Sequence, residues 1–393
     1  MKEKNKKTVF VGVSGGVDSS VSALLLKKQG YNVVGVFIRT WTPDFIDCTW
    51  RDERRDAMRV CAHLEIPFLE CDAEEAYKKG VADYMIEEYK KGRTPNPDVM
   101  CNREVKFGVF WDFAKKRGAD FIATGHYARQ SPLLVEEGVE GGDPNSNHHL
   151  ALKGTPPQKG GGRIHNLSKG NDKTKDQSYF LWTLRQEDLE HTLFPIGHLK
   201  KVEVRILAEK YKIPVATKKD SQGVCFLGPL DMKDFLKHYI NKKEGDVLFA
   251  RHDSELGDEE REVIGSHDGA VFFTLGERHG FKIFQNENNS KPLYVISKDI
   301  IKNTITVSPK QGLGLEKSKN YIDLINTNWI IEPQKDKKYQ AQIRYHGELL
   351  NCMITCIGQT YAEINFEKDV LIDKGQSTVV YDGDICLGGG IVE

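Results

Sequence analysis

Residues 14–20 read Ser-Gly-Gly-Val-Asp-Ser-Ser, follow an apolar run at residues 8–13 and precede apolar residues at helical spacing. The pattern predicts a buried strand, a tight turn and an amphipathic helix. The two glycines let the backbone turn sharply and approach a ligand closely. The helix N-terminus presents free N–H groups and a partial positive charge, and the serine hydroxyls add donors. This phosphate loop, residues 14–20, therefore predicts a cradle for a phosphate anion.

Two common nucleotide-binding motifs are excluded for this loop. The chain contains no GxxxxGK[ST], so the loop is not of the Walker type, and its glycines are not spaced as in the dinucleotide fingerprint. A plain strand-to-helix turn, with serine and aspartate side chains as helix caps, is the alternative.

The first part of the chain alternates predicted strands and helices, an order typical of a parallel sheet with helices on both faces. The strands are predicted at residues 8–13, 32–38, 67–71 and 120–124, and the helices at 17–29, 51–64, 74–91 and 102–117. Residues 131–170 are rich in glycine and break this order, so we interpret them as a loop or flexible insertion. From about residue 244 onward, short β-rich runs predict one or two small, barrel-like β domains.

The chain length of 393 residues and these changes of pattern predict three domains. We place a parallel-sheet α/β domain at residues 1–228, a small β-rich domain at 229–292 and a β-barrel at 293–393. The net charge of -1 shows no bulk preference for polyanions, so a nucleic-acid partner would need a local basic surface. No apolar run approaches the roughly 20 residues of a membrane span. We expect a cytoplasmic protein without a signal peptide or a membrane partner.

Eight cysteines are too few for a disulfide scaffold in a chain of this length, and we expect thiols in a reducing compartment. No CxxC occurs, and Cys352 and Cys356 are interpreted as packing residues. Cys101 follows the proline-rich residues 92–100, and a helix is predicted to begin at Cys101 or Asn102. A thiol at a helix N-terminus has a lowered pKa, which favours a reactive cysteine. A buried core cysteine is the alternative.

Cys225 is the other candidate thiol. It lies between Gly223 and Gly228, downstream of the basic residues Lys218 and Lys219. This setting fits a reactive thiol and a buried strand cysteine equally well.

Taken together, these segments resemble the tRNA-specific 2-thiouridylases, the MnmA family of the PP-loop ATP pyrophosphatase superfamily. The resemblance covers nearly the whole chain. Its motifs are Ser-Gly-Gly-Val-Asp-Ser-Ser at 14–20, Arg-Thr-Pro-Asn-Pro-Asp at 93–98 with Cys101-Asn102, Ala-Thr-Gly-His-Tyr-Ala-Arg at 123–129, Lys-Asp-Gln-Ser-Tyr-Phe at 175–180, Lys-Lys-Asp-Ser at 218–221 with Cys225-Phe226, Phe-Thr-Leu-Gly-Glu-Arg-His-Gly at 273–280, Ile-Arg-Tyr at 343–345 and Tyr-Asp-Gly-Asp at 381–384. It implies a PP-loop domain (adenine nucleotide alpha hydrolase-like), a central β-rich domain and a C-terminal β-barrel that binds tRNA.

The resemblance also implies a reaction. ATP is split to AMP and pyrophosphate, the 2-carbonyl oxygen of the wobble uridine is adenylated, and sulfur replaces that oxygen. Cys225 is then the persulfide carrier, Cys101 the nucleophile or resolving thiol, and Asp98 the acid or base. With either role of Cys101, the two cysteines can end as a disulfide, which a reductant must reduce. The implied partners are tRNAs for Glu, Gln and Lys, and a persulfide carrier protein or cysteine desulfurase.

The binding residues follow from the same resemblance. The ATP-binding positions are Gly12, Val13, Ser14, Gly15, Gly16, Val17, Asp18, Ser19, Ile38 and Gly125. The tRNA-binding positions are Asn96, Pro97, Asp98, His126, Lys175, Asp176, Gln177, Arg344, Tyr345 and Gln376. No metal is implied beyond the magnesium carried with ATP, which Asp18 helps to place. The chain departs from the family in its long insertion at 131–170 and in Glu277 and His279, where the family usually has Gln and Lys.

Two other functions remain open from the sequence. Another PP-loop ligase would adenylate a small metabolite and would not need Cys101 or Cys225. A nucleotide-sensing or RNA-binding module on the same fold would bind ATP or tRNA and leave both unchanged. His126 fits a structural loop histidine as well as a tRNA contact.

Overall fold

The computed structural model describes residues 6–46, 50–132, 164–220, 223, 225–228, 231–250, 261–284, 292–309 and 319–393. Strands, numbered along the described chain, are β1 (Thr8–Gly12), β2 (Asn32–Arg39), β3 (Phe68–Asp72), β4 (Phe121–Ala123), β5 (Ala128–Pro132), β6 (His165–Lys169), β7 (Thr192–Leu193), β8 (Gly245–Phe249), β9 (Val263–His267), β10 (Phe281–Ile283), β11 (Tyr294–Asp299), β12 (Thr304–Ser308), β13 (Lys319–Trp329), β14 (Lys338–Gln342), β15 (Leu349–Ile357), β16 (Tyr361–Val370), β17 (Ser377–Asp382) and β18 (Ile385–Val392).

The α-helices are α1 (Val17–Lys28), α2 (Trp50–His63), α3 (Glu74–Tyr77), α4 (Tyr84–Lys90), α5 (Pro97–Cys101), α6 (Phe110–Lys115), α7 (Gln186–Glu190), α8 (Lys201–Lys210) and α9 (Met232–Lys237). Helical turns of the π type occupy Lys78–Asp83 and Asn102–Val109, and they join α3 to α4 and α5 to α6. Short 3-10 turns occupy Ser178–Leu181 and Ala270–Phe272.

The first sheet is parallel and has the strand order β3-β2-β1-β4-β7. Side chains of β1 alternate between its faces. Val9 and Val11 pack with residues of α1, α2 and α8, whereas Phe10 joins a cluster that includes Tyr77 and Phe110 on the opposite face. The predicted parallel sheet between two layers of helices is confirmed.

The helix that carries Cys101 begins earlier than the sequence pattern predicts. Pro97 is its first residue, and the Asn96 side chain caps it by accepting a hydrogen bond from the Val99 N–H. Proline is favoured at this position because its fixed φ suits the helix and its missing N–H would have no intrahelical partner. Cys101 therefore lies one turn inside the helix, and the predicted start at Cys101 or Asn102 is wrong.

The second sheet has the order β10-β9-β8-β12-β11, with β8 and β12 parallel and the other pairs antiparallel. Strands β11 and β12 follow residue 292, the predicted end of the central domain, yet they pair within this sheet. Alternating apolar residues predict that a segment is a strand but not which sheet it joins. The central unit of the fold therefore extends past the predicted boundary, to the end of β12.

The third sheet is a closed barrel. Its strands follow the order β13-β16-β15-β14-β17-β18, and β13 also pairs with β18. Beyond β18 the sheet continues into the hairpin β6-β5, which comes from the first part of the chain. The ends of the predicted insertion 131–170 are thus strands rather than loop, and Leu167 is fully buried. Residues 133–163 of that insertion lie outside the described residues.

A buried ion pair joins the three parts of the fold. Lys298 Nζ lies 2.6 Å from Asp373 Oδ2, and their side chains are 7% and 4% exposed. The same carboxylate oxygen accepts hydrogen bonds from Thr94 Oγ1 at 2.8 Å and from the Leu275 N–H at 3.3 Å. Thr94 belongs to the unit built on the first sheet, Leu275 and Lys298 belong to the unit built on the second sheet, and Asp373 belongs to the barrel. In the part of the chain that the structure describes, every helix is too short or too polar to cross a bilayer.

We expect Asp373→Asn to destabilise the protein by about 3 kcal/mol, because it leaves the buried ammonium of Lys298 without its counter-charge. Urea unfolding followed by tryptophan fluorescence measures the effect. Glu367→Gln is the matched control, since Glu367 pairs with Lys338 at the surface and exposed ion pairs contribute little. Equal shifts of the unfolding midpoint in both variants would contradict the assigned role of Asp373.

Candidate active site

The phosphate loop connects β1 to α1 and leaves the helix N-terminus open. Gly16 is the N-cap residue, and among the described residues no side chain caps this end of α1. The Ser20 hydroxyl instead donates to the Gly16 carbonyl oxygen at 2.7 Å. The first N–H groups of α1 are therefore available to an anion. The alternative of a turn capped by serine and aspartate side chains does not describe this structure.

Glycine is required at two places around this loop. Gly15 has a φ of +70°, and a Cβ there would lie 2.5 Å from the Glu53 carbonyl oxygen. A Cβ on Gly125 would lie 2.7 Å from the Ser19 nitrogen. The segment after β4 thus packs directly on the backbone of the phosphate loop.

A cavity of about 270 Å³ opens at the carboxyl ends of β1, β2 and β4. This edge of a parallel sheet is where such folds bind ligands. Most of the predicted ATP-binding residues line the cavity, namely Gly12, Val13, Ser14, Asp18, Ser19, Ile38 and Gly125. Gly15, Gly16 and Val17 belong to the loop, but their side of it does not form the cavity wall.

Cys225 lines the same cavity, and its sulfur lies 3.6 Å from the sulfur of Cys101. Both are free thiols, and Cys101 is fully buried. Burial raises the pKa of Cys101, contrary to the lowered pKa that a helix N-terminus would give. The hydrogen bond donated by Cys101, assisted by the charge of Lys106, lowers the pKa of Cys225 to about 7. The pair thus favours the thiolate on Cys225, at the cavity, and the thiol on the buried Cys101.

The backbone of Cys225 is held on both sides. Its N–H donates to Asp98 Oδ1 at 2.9 Å, and its carbonyl oxygen accepts from the Tyr77 hydroxyl at 2.8 Å. Asp98 is in the first turn of α5, one turn before Cys101. Burial raises the pKa of the Asp98 carboxyl. The predicted sulfur-handling residues Asp98, Cys101 and Cys225 therefore lie together.

The predicted tRNA contacts divide into two groups, and the first lies in and beside the cavity. His126 is buried in the cavity wall, its ring nitrogen is 2.7 Å from Thr124 Oγ1, and burial lowers its pKa. Gln177 also lines the cavity and accepts a hydrogen bond from the Tyr127 N–H. Asp176 caps its own turn by accepting bonds from Ser178. These side chains therefore already form hydrogen bonds within the protein.

Lys175 is likewise engaged, in an ion pair of 2.9 Å with Asp220.

The second group of predicted tRNA contacts lies at the barrel. Arg344 and Tyr345 are exposed, and the Tyr345 ring lies 4.3 Å from the ring of Phe180. The Asn102 side chain donates to the Phe180 carbonyl oxygen at 3.0 Å, so the aromatic pair lies beside the helical segment that follows Cys101. Gln376 follows Gly375, where a Cβ would lie 3.0 Å from the Thr94 nitrogen.

The residues Asn96, Pro97 and Asp98 occupy the start of α5, where Asp98 binds the backbone of the cavity residue Cys225.

Several residues of the site were not assigned from the sequence. Lys201, at the start of α8, places its ammonium nitrogen 2.8 Å from both carboxylate oxygens of Asp18. Tyr127 donates to the same carboxylate at 2.8 Å. Asp220 also pairs with Lys201, and although burial raises its pKa, hydrogen bonds from Lys175 and Lys201 lower it to about 2. A lysine in an amphipathic helix carries no signal of such a contact, because the partner lies far away along the chain.

Comparison with known proteins shows the family of this chain. A family model described as "tRNA methyl transferase HUP domain" matches residues 7–229, one described as "tRNA methyl transferase PRC-barrel domain" matches 233–309, and one described as "Aminomethyltransferase beta-barrel domain" matches 319–392. The tRNA-specific 2-thiouridylase MnmA of Christiangramia forsetii is 38% identical over 98% of this chain and 100% of that protein.

The chain belongs to the MnmA family of tRNA-specific 2-thiouridylases. The MnmA proteins of Oceanobacillus iheyensis and Bacillus subtilis are 39% and 37% identical, over 100% and 98% of this chain and 96% and 94% of theirs. The resemblance inferred from the motifs is confirmed. A solved 4-thiouridine synthetase–RNA complex with bound ATP matches 59% of this chain and 50% of that chain at 15% identity, with a TM-score of 0.35, too weak a likeness to indicate function.

We expect iodoacetamide to alkylate Cys225 with a midpoint near pH 7, because the thiolate is the reactive form and accumulates as the pH rises through the pKa. Lys106→Met should move the midpoint to higher pH, since it removes a charge that favours the thiolate. Mass spectrometry of the Cys225 peptide gives the rate at each pH. Lys115→Met, an exposed lysine on α6, should leave the midpoint unchanged. A wild-type midpoint near 8.5, the value of a free thiol, would refute the assignment.

Proposed function

We propose that this protein thiolates the wobble uridine of tRNA at the 2-position, using ATP and a cysteine persulfide. The observation that carries the proposal is the position of Cys225, which lines the same cavity as the phosphate loop and lies 3.6 Å from Cys101. An activated carbonyl and a sulfur donor can meet in such a cavity. The relatives at 37–39% identity, which are named tRNA-specific 2-thiouridylases, support the same reaction.

The phosphate loop supplies the activating half of the reaction. The uridine O2 attacks the α-phosphate of ATP, the bond to the β-phosphate breaks, and pyrophosphate leaves. The uncapped N–H groups of α1 and the hydroxyls of Ser14 and Ser19 stabilise the negative charge on the departing pyrophosphate.

Magnesium fits this site on chemical grounds. Asp18 is a partly exposed carboxylate in the cavity wall, and magnesium at nucleotide sites takes one or two carboxylates together with substrate phosphates. Asp18 would hold the ion, which when bound supplies positive charge against the phosphate oxygens.

The cysteine pair supplies the sulfur-handling half, for which two routes balance. In one, the outer sulfur of a Cys225 persulfide attacks uridine C2 and AMP leaves; Cys101 then attacks the Cys225 sulfur and frees the new thiocarbonyl. In the other, Cys101 first attacks the Cys225 sulfur and releases hydrosulfide, which attacks C2 and expels AMP. Both routes end in a Cys101–Cys225 disulfide, and a dithiol reductant must restore the thiols.

Asp98 acts next to both sulfurs in this scheme. Burial raises its pKa, so it is suited to exchange a proton with the uridine during attack and release. Its other role is positional, since its carboxylate holds the Cys225 backbone N–H.

The tRNA is proposed to lie across the barrel and the start of α5. A wobble base inside an anticodon loop must leave the stack to be modified, and unstacked bases pack on aromatic side chains. Phe180 and Tyr345 form an aromatic pair beside the helical segment that follows Cys101, and Arg344 next to Tyr345 in the chain suits a phosphate. The tRNAs for Glu, Gln and Lys, and a carrier protein or desulfurase that delivers persulfide, are the proposed partners.

The two other functions explain less of the site. A ligase for a small metabolite, or a binding module without turnover, would use the phosphate loop but gives no role to adjacent thiols at the cavity. A thiolate favoured on Cys225 by Cys101 and Lys106, with a second thiol 3.6 Å away, suits sulfur transfer.

Incubation with ATP, magnesium, a persulfide donor and unmodified tRNA should yield 2-thiouridine, measured by nucleoside mass spectrometry. Cys101→Ser and Cys225→Ser should each abolish this turnover, because a hydroxyl neither carries persulfide sulfur nor forms a disulfide. Cys356→Ser, the same change on a barrel strand, should retain activity. Persulfide-dependent thiolation by Cys225→Ser would rule out its carrier role, and intact ATP binding without any thiolation by the wild type would rule out the function. Free sulfide is expected to bypass Cys225 in part.

Arg344→Ala should weaken tRNA binding and reduce the slope of log affinity against log salt by about 1, because one phosphate contact is lost. Filter binding at several salt concentrations measures both quantities. Lys338→Ala should change neither, since Lys338 pairs with Glu367. An unchanged salt slope for Arg344→Ala would show that Arg344 does not contact a phosphate.

A further inference from the structure

Lys201 connects the phosphate loop to a second carboxylate. Its ammonium nitrogen lies 2.8 Å from each oxygen of Asp18 and 2.8 Å from Asp220 Oδ1, and its side chain is only 11% exposed. Its backbone N–H donates to Asp172 Oδ2 at 2.9 Å, which fixes the start of α8 beside the loop. A side chain this well held marks a fixed positive charge at the edge of the phosphate site.

Both carboxylate oxygens of Asp18 are engaged in this arrangement. Besides the two contacts from Lys201, its Oδ1 accepts the Tyr127 hydroxyl at 2.8 Å. A magnesium ion arriving with ATP needs a carboxylate oxygen and would compete with the ammonium for Asp18. Lys201 thus takes the position of a counter-ion on the one loop carboxylate that lines the cavity.

Asp220 gives Lys201 a second, independent anchor. Asp220 is itself fixed by Lys175 at 2.9 Å and by Arg205 at 2.6 Å. If Asp18 turned toward a metal ion, Lys201 would keep Asp220 as its partner. Two of its N–H groups would then be released from Asp18, which itself lines the cavity.

We propose that Lys201 is a phosphate-binding residue that changes partner when magnesium-bound ATP binds. In the free protein, Lys201 neutralises Asp18. In the ATP complex, Asp18 turns to the metal, and Lys201, still paired with Asp220, donates to the β- and γ-phosphates and then to pyrophosphate. The proposal rests on the ATP-splitting reaction proposed above. It adds to the loop a cation from a distant part of the chain and gives Asp220 a positioning role.

The exchange is tested by calorimetric titration with inorganic pyrophosphate, magnesium-bound ATP and AMP. Lys201→Met keeps the aliphatic stem and removes the charge. It should weaken pyrophosphate and ATP binding by about tenfold to a hundredfold, the loss of charge-assisted hydrogen bonds. AMP, which lacks the β- and γ-phosphates, should bind as to the wild type. The magnesium concentration that gives half of the maximal ATP binding should be lower for the variant than for the wild type, because the ammonium that competes for Asp18 is gone.

Two further variants complete the test. Lys200→Met, the exposed neighbour, is the matched control and should bind every ligand as the wild type does. Lys201→Arg should recover most of the pyrophosphate affinity. If Lys201→Met fails to fold because Asp18 loses its counter-charge and Asp220 loses one of its three, the charge-balanced variant Lys201→Met with Asp220→Asn replaces it. It should show the same selective loss.

Unchanged pyrophosphate affinity and magnesium dependence in a folded variant would overturn the proposal and leave Lys201 as a structural ion pair. The result is separate from the thiolation assay, since pyrophosphate binding is measured without tRNA or sulfur. A protein that splits ATP but thiolates nothing would refute the proposed function and leave the role of Lys201 standing.

Discussion

The buried contact between Lys298 and Asp373 is the constraint on which the site depends. Asp373 also binds Thr94, and Thr94 lies just before the segment that begins α5 and carries Asp98 and Cys101. The carboxylate of Asp373 therefore anchors the segment that leads into α5. The ion pair lies where the three structural units meet. The relative orientation of the units and the position of the cysteine pair are therefore fixed together.

Within that frame, each group proposed to be catalytic is held by a neighbour that also tunes its chemistry. Asp98 holds the backbone of Cys225 and shares its buried environment, while Cys101 donates the hydrogen bond that favours the Cys225 thiolate. On the other side of the cavity, Asp18 is held by Lys201 and Tyr127. The two halves of the site thus follow one physical rule: a buried charge is kept only where a donor or counter-charge compensates it.

The sequence predicted what local pattern determines and missed what depends on long-range packing. Apolar runs such as residues 8–13 and the glycines of the phosphate loop predicted the parallel sheet and its anion site, because both are encoded within a few residues. The resemblance supplied Cys225, but no spacing in the chain could indicate its distance to Cys101. Lys201 was missed for the same reason. The start of α5 at Pro97 was not predicted, although proline suits a first helical turn.

The hairpin β5-β6 has a consequence for how a large ligand is received. Its pairing with β18 runs a continuous set of backbone hydrogen bonds from the first part of the chain into the barrel. A hinge at this joint would have to break those bonds. The cavity of the first sheet and the barrel surface with Arg344 and Tyr345 therefore keep one mutual orientation. An RNA that spans them meets a preformed shape, and less ordering of the protein opposes its association.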